Sequence, residues 1–493
     1  MKSGANSHKG LSVHVLKIMG IFSGVQVLSI LCAVVRTKLV AIWLGPEGMG
    51  LFGLYNSGVE TMNTVAQMST GTGVIRSLAA APRQALARLV KIIRRWGCTL
   101  GLIGASATLL LSPWLSEFTF GDRDHSWGFA LLSIAVFFSA IANNESSIFQ
   151  GLKQYSRLAK STVWGVALGL AVSAPMYYFL GLDSIIPSLL AYPACICACY
   201  WIPRHHTEPA GPVSIRDTFS EGKEFAILGI YITLTAFASN AASYIFMSYL
   251  NHRAGTETAG FFQAGFTLVN RYVGLVLTAI GMEYLPRLSQ VSDSSKRVRA
   301  FLSHEILLIM LVLFPVVALF VAADELIIRV MYAEDFLVML PFVTWAVVGT
   351  IFRGWSWCMA FVILARNDGK AFLLTEVTSA IAYILLNIIF FESFGIAGMG
   401  YAYILWYLLY TLTVWGICRR RYRLSLSAGA LWMPVGIFLA CAATALIRSW
   451  VGWWGAVPFA IAAICFSVIA LRRIMGISFA NVWEKFVRKA KKE

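Results

Sequence analysis

The sequence predicts an all-α polytopic membrane protein of about 14 transmembrane helices, with two six-helix lobes around a central cavity plus two C-terminal helices. Three observations predict it. Of the 493 residues, 58% are hydrophobic and only 13% are charged, against roughly 25% charged in soluble domains. Apolar runs long enough to cross a bilayer recur along the chain. The Lys and Arg residues fall almost entirely in alternate loops. This composition excludes a disordered chain, a disulfide scaffold and an ordinary cytosolic enzyme.

A spanning helix needs about 20 mostly apolar residues. Runs between charged or turn-like breaks give cores at 13–44, 51–75, 96–116, 127–148, 160–180, 184–203, 225–250, 258–285, 301–322, 337–364, 371–391, 396–417, 429–447 and 453–471. The first contains Arg36 and Lys38, so a kink or a partly embedded course is expected there. After six spans comes a stretch with Pro203, Pro209, Gly211 and Pro212. It divides the chain into a lobe at 1–205, a cytoplasmic linker at 206–222, a second lobe at 223–418, and two further helices with a basic tail at 419–493. The halves show faint self-similarity at an offset of 210: Gly50, Leu51 and Phe52 align with Gly260, Phe261 and Phe262, and Gly71 with Gly281. Repeats of this kind are common in secondary transporters, whose sites lie where the halves meet.

The net charge of +16 is mostly topological. Of 40 Lys and Arg, 32 fall in alternate loops and the two tails, 4 in the opposite loops (Arg123, Arg253, Arg329, Arg448) and 4 inside spans (Arg36, Lys38, Arg271, Arg353). Positive charge marks the cytoplasmic side, so both termini are expected there and the number of spans is even. Cations spread over short loops do not make a nucleic-acid surface. The first span follows a short basic tail without a small-residue cleavage site, and it reads as a retained anchor.

Several sharper motifs dissolve on inspection. Cys195, Cys197 and Cys199 alternate along one helix and point to different faces, so they read as small packing residues. His205 and His206 lie in a loop without a second ligand pair. The glycines at 395, 398 and 400 lead into a span and not a Rossmann unit, so tight turning and close packing explain them. There is no Walker lysine motif, and no outward loop has room for a catalytic domain. A transporter without cofactor or metal is the expectation, and an enzyme is not.

The function is expected at polar groups inside the membrane, where a charge costs on the order of 3 kcal/mol. Arg36, Lys38, Arg271 and Arg353 are candidate substrate-binding cations, with Glu60 and Asn63 beside them. Their alternative is pairing with Glu60 or Glu376, which are also the candidates for proton coupling. Glu145 and Glu283 lie near cytoplasmic ends, where snorkelling is expected. Polar stripes at helical spacing run along three spans: Asn56, Glu60, Asn63 and Gln67; Gln263, Thr267 and Asn270; Glu376, Ser379, Tyr383 and Asn387. The neutral members read as interhelical hydrogen-bond glue. Arg suits bidentate contact with phosphate. Cations on three helices would attract an anion and repel the organic cations of multidrug exporters.

Two segments carry a resemblance. Leu44-Gly45-Pro46-Glu47-Gly48-Met49-Gly50-Leu51-Phe52-Gly53 follows a span containing Lys38. Ala259-Gly260-Phe261-Phe262-Gln263-Ala264 is followed by Asn270-Arg271 and then Tyr284-Leu285-Pro286-Arg287-Leu288-Ser289. Over about residues 12–418 the chain resembles Wzx-type flippases for lipid III and O-antigen, in the polysaccharide transporter family of the multidrug/oligosaccharidyl-lipid/polysaccharide exporter superfamily. The last two spans depart from it. The resemblance implies an undecaprenyl-diphosphate-linked oligosaccharide, moved from the cytoplasmic to the periplasmic leaflet of a bacterial inner membrane by alternating access, with Lys38 and Arg271 at cavity positions. Partners would be the bilayer and the polysaccharide polymerase and chain-length machinery. A lipid II flippase and a multidrug cation exporter of the same superfamily are the alternatives.

Overall fold

The structure, a computed structural model, describes residues 3–68, 70–203, 213–291, 294–366 and 368–475. Within these, the side chains of residues 3–23 and of some helical positions, Arg271 and Glu283 among them, lie outside the described set, as do His205 and His206. The fold is all-helical. The helices are α1 (Ser3–Gln67), α2 (Thr70–Ala80), α3 (Arg83–Phe120), α4 (Ser126–Gly151), α5 (Tyr155–Leu180), α6 (Ile185–Trp201) and α7 (Ile215–Thr267). A π-helical turn, Leu268–Val273, joins α7 to α8 (Gly274–Val291). There follow α9 (Ser295–Ala322), α10 (Asp324–Met331), α11 (Leu340–Ala365), α12 (Gly369–Arg420), α13 (Ala428–Val451) and α14 (Trp453–Met475).

Among the described residues, ten helical stretches are long and apolar enough to cross a membrane. Four of them, Gly24–Gln67, Tyr155–Trp201, Ile230–Asn270 and Gly369–Arg420, run to 44, 47, 41 and 52 residues. At 1.5 Å per residue an unbroken helix of that length would reach about 60 Å or more, twice the hydrocarbon thickness. Each is instead broken near its middle by a glycine with positive φ: Gly45 (67°), Gly181 (58°), Gly255 (84°) and Gly395 (61°). Without a Cβ the left-handed region is open to glycine, and the chain changes direction there. Gly121 after α3 and Gly452 after α13 do the same at helix ends. All six lie in the cation-poor loops. The seventh such turn, between α9 and α11, has no such glycine; it carries α10 and a 3₁₀ segment, Glu334–Met339.

The chain forms two compact units, Met1–Ala264 with Met331–Asp335, and Gly265–Val330 with Phe336–Glu493. In the first, α1 packs on α3, α4, α5 and α6, and α4 lies against α3 and α6. Small residues let the backbones approach, as in other membrane helices. On α3, Gly97, Gly101 and Gly104 face Asn144, Ala140 and Ala66; on α5, Gly165 and Gly169 face Ile196 and Tyr192. Cys197 is buried among Ala142, Phe149, Leu158 and Tyr200, as packing. Glu145 does not snorkel. It is buried and binds Arg94 through two bonds of 2.6 and 2.9 Å. A deep carboxylate is stable there because a guanidinium meets both of its oxygens.

The offset of 210 is realised in this unit. The breaks at Gly45 and Gly255 stand 210 residues apart, and the helices that follow cross at Gly50 and Gly260. A Cβ on Gly50 would collide with the Thr256 carbonyl, and one on Gly260 with the Pro46 carbonyl. Thr256 and Pro46 are also 210 apart, so the two contacts are the same contact made twice.

In the second unit α9 and α11 form the centre. α11 packs along α12, α13 lies on α9 and α11, and α14 lies on α9. The two last helices are thus part of this unit's packing, with Ala456, Ala460 and Ala463 of α14 against Ala318 and Ala322 of α9. Gly398 and Gly400 are close-packing sites: a Cβ on the first would collide with the Phe390 carbonyl, and one on the second would lie 2.8 Å from that of Phe342.

Candidate functional site

Two cations expected inside the membrane have described surroundings, one in each unit. In the first unit Arg36, half-buried on α1, lies between two rings. Its guanidinium carbon is 4.7 Å from the Phe52 ring centre and 4.3 Å from that of Tyr192. Among the described residues no carboxylate pairs with it. Lys38, two residues on, is half-buried, and Glu60 is exposed. Asn63 is buried, 6% exposed, and its Oδ1 has no hydrogen-bond partner. One residue further on, Thr64 Oγ1 accepts a bond of 2.8 Å from Asn240 Nδ2 of α7.

In the second unit Arg353 projects from α11 to the π-helical turn. Its Nη1 donates to Asn270 Oδ1 at 2.7 Å, and Tyr403 Oη donates to the same oxygen at 3.3 Å. The guanidinium lies over the Tyr407 ring, 5.9 Å from its centre. Gly274 makes the room, since a Cβ there would stand 3.4 Å from Nη2. Here too no carboxylate pairs with the cation among the described residues. A π turn carries one residue more than an α turn, which re-aims the side chains that follow, and such turns gather at functional sites. This one holds Asn270 and Arg271. The side chain of Arg271 lies outside the described residues.

Glu376 is bonded by Tyr410 Oη and not by an arginine. Its stripe is held by the returning half of the same helix. Trp406 Nε1 donates to the carbonyl and hydroxyl of Ser379 at 3.0 and 2.9 Å, Tyr383 meets the Trp406 ring at 4.8 Å, and Asn387 Nδ2 donates to the Tyr383 carbonyl at 2.8 Å. Of the stripe's neutral members, Ser379 is hydrogen-bonded across to the returning half, Tyr383 meets it through its ring, and Asn387 bonds within its own helix. Tyr403, Trp406, Tyr407 and Tyr410 form the facing aromatic ladder. Their 3–4 spacing in the sequence would have revealed it; the π turn left no such trace.

The structure therefore gathers Asn270 and Arg353 in one unit and holds Arg36 in the other, each cation met by rings and dipoles. Long apolar helices folded back at glycines, with such cations inside, define a multi-pass helical membrane transporter. A profile for polysaccharide biosynthesis proteins matches residues 39–341, and one for the lipid II flippase MurJ matches residues 266–468. The first covers more than half of the chain, and the chain belongs to that family. It is 20% identical over 392 residues to the lipid III flippase of Escherichia coli (strain K12), across 76% of this chain and 90% of that protein. Among solved structures, the lipid II flippase MurJ in an inward closed conformation superposes with a TM-score of 0.67 at 12% identity, covering 92% of this chain and 99% of the other. An inward-facing multidrug MATE transporter gives 0.66 at 13% identity, over 80% and 94%. These similarities establish a shared fold. The relatives are flippases and transporters, not enzymes.

Proposed function

We propose that the chain flips an undecaprenyl-diphosphate-linked oligosaccharide, an O-antigen unit or a related repeat, from the cytoplasmic to the periplasmic leaflet of a bacterial inner membrane by alternating access. The observation that carries the reading is the Arg353–Asn270–Tyr403 cluster beside Arg271. A guanidinium held by a neutral amide keeps its charge uncancelled and suits a diphosphate. The same feature disfavours an organic cation as cargo. Lys38, Arg36, Glu60 and Asn63 are the matching candidates on the first repeat.

The protein's task is to remove the barrier to taking sugars and phosphates through hydrocarbon. The membrane potential assists. One charge moved across 100 mV is worth about 2.3 kcal/mol, so a doubly charged diphosphate gains roughly 5 kcal/mol going outward. Glu376 and Glu60 are the candidates for proton coupling. Both termini are assigned to the cytoplasm by the 32-to-4 division of loop cations, which thiol labelling from either side would test.

The test of function is transfer of a fluorescent undecaprenyl-diphosphate oligosaccharide in reconstituted vesicles. Arg271→Ala should abolish it, and intact transfer would sink the cationic-site reading. The match of the MurJ profile to residues 266–468 supports a second reading, a lipid II flippase. Rescue of peptidoglycan synthesis in cells lacking their own lipid II flippase would establish that substrate instead.

A further inference from the structure

A second cavity stands apart from these cations, at the cation-poor end of the second unit. It has a volume of about 540 Å³ and lies between α9, α10, α13 and α14, within the range of small-molecule sites. Its walls are apolar, among them Leu319, Leu326 and Ile461, which are 54%, 63% and 55% exposed. Its mouth carries Glu325, Arg329 and Arg448 beside Trp453. We propose that this cleft holds an acyl chain of a bilayer phospholipid whose zwitterionic headgroup is received by Glu325 and Arg329.

Depth and charge carry the assignment. The α13–α14 turn bears Trp450, Trp453 and Trp454, 88%, 48% and 70% exposed, and such tryptophans mark headgroup level. The apolar walls run from there into the hydrocarbon, where water is no competitor for them. At the mouth Arg448 is already satisfied. It donates to Asp324 Oδ1 at 2.8 and 3.0 Å, and their side chains are only 13% and 2% exposed. Thr344 occupies the other Asp324 oxygen at 2.7 Å. Beside it stands the exposed pair, Arg329 Nη2 and Glu325 Oε1, 3.1 Å apart, with Arg448 Nη2 reaching the other Glu325 oxygen at 3.3 Å. Hydrogen bonds from Arg329, then from Arg448, hold the Glu325 carboxyl below its ordinary range and keep it ionised. An exposed pair of this kind is worth little, so a headgroup can enter it, with phosphate on Arg329 and ammonium on Glu325. A mouth that presents a carboxylate and a guanidinium side by side matches a headgroup carrying both charges.

The experiment is native mass spectrometry of the delipidated full chain. It is mixed with equal amounts of phosphatidylethanolamine, phosphatidylglycerol and undecaprenyl phosphate. One phosphatidylethanolamine should be retained in preference to the other two. The double variant E325Q/R329Q should lose that preference by about fivefold. Ile461→Trp, which fills the cleft and touches no charge, should lower retention itself. All three positions are exposed, and an unchanged melting curve confirms folding. Equal retention of the two phospholipids, preference for undecaprenyl phosphate, or an unaltered preference in E325Q/R329Q would overturn the proposal. None of these readouts depends on transport.

Discussion

Arg36 and Arg353 solve one problem by different means. Arg36 is clasped by the faces of Phe52 and Tyr192, so its donors are not consumed. Arg353 spends one donor on Asn270 and rests on Tyr407. Away from the expected site the chain behaves otherwise: Arg94 meets Glu145, Arg448 meets Asp324, and Arg421 meets Asp368 at 2.8 Å. The difference teaches that these three cations are neutralised by carboxylates, whereas the two candidates within the expected spans are steadied by ring faces and an amide, as Arg366 and Arg419 outside the spans are by the rings of Tyr422 and Trp415. A ring face or an amide stabilises a guanidinium while leaving it positive. A cation left uncancelled attracts a phosphate more strongly than one already paired with a carboxylate.

The sharpest way to break the comparison is to give Arg353 the carboxylate it lacks. Asn270→Asp should cancel the charge and reduce flipping about as much as Arg353→Ala. A lost charge-assisted contact of about 2–3 kcal/mol corresponds to roughly 30- to 150-fold in initial rate. Unchanged transport in Asn270→Asp would show that the net charge there is immaterial. Next in size is Arg36→Ala, which removes a ring-clasped cation of about 1–2 kcal/mol and should slow transfer on the order of tenfold. Arg353→Lys keeps charge but gives up the planar fork that meets a phosphate with two donors; a severalfold loss is expected, smaller than for alanine. The smallest effect belongs to the carboxylate-paired control. Asp368 accepts from Ala371 N–H at 3.2 Å, Tyr422 Oη at 2.9 Å and Arg421. Burial pushes its carboxyl up, but these partners prevail and hold it below the usual range. Its stabilising contribution is therefore present above the ordinary carboxylate pKa of about 3.9 and lost as pH falls through the lowered value. Asp368→Asn keeps the helix cap and loses the pairing with exposed Arg421, so it should cost about 0.5 kcal/mol of stability at neutral pH, flatten the acid limb of a thermal melt, and leave flipping rates alone.

Much of the architecture was legible because membrane physics writes it into composition. Apolar runs and loop charge marked the helices, and the glycines at 45, 181, 255 and 395 stood between expected spans. The offset of 210 was legible at Gly50 and Gly260, because a helix crossing tolerates no Cβ and so fixes residue type. The site was legible only as a set of residue types. Arg353 was visible as an embedded charge, but its partner is set by a π turn that no periodicity announces. Glu145 misled for the same reason: position along a helix says how deep a side chain starts, not which neighbour meets it.

The glycine turns have a consequence for everything outside the membrane. Four of the seven turns at that end, at Gly45, Gly255, Gly395 and Gly452, are made at a single residue, so they add little polypeptide beyond the helix ends. The longest connection is the segment after α10, where Glu334 and Asp335 are exposed. That is the place on this face where an epitope tag would be both tolerated and seen.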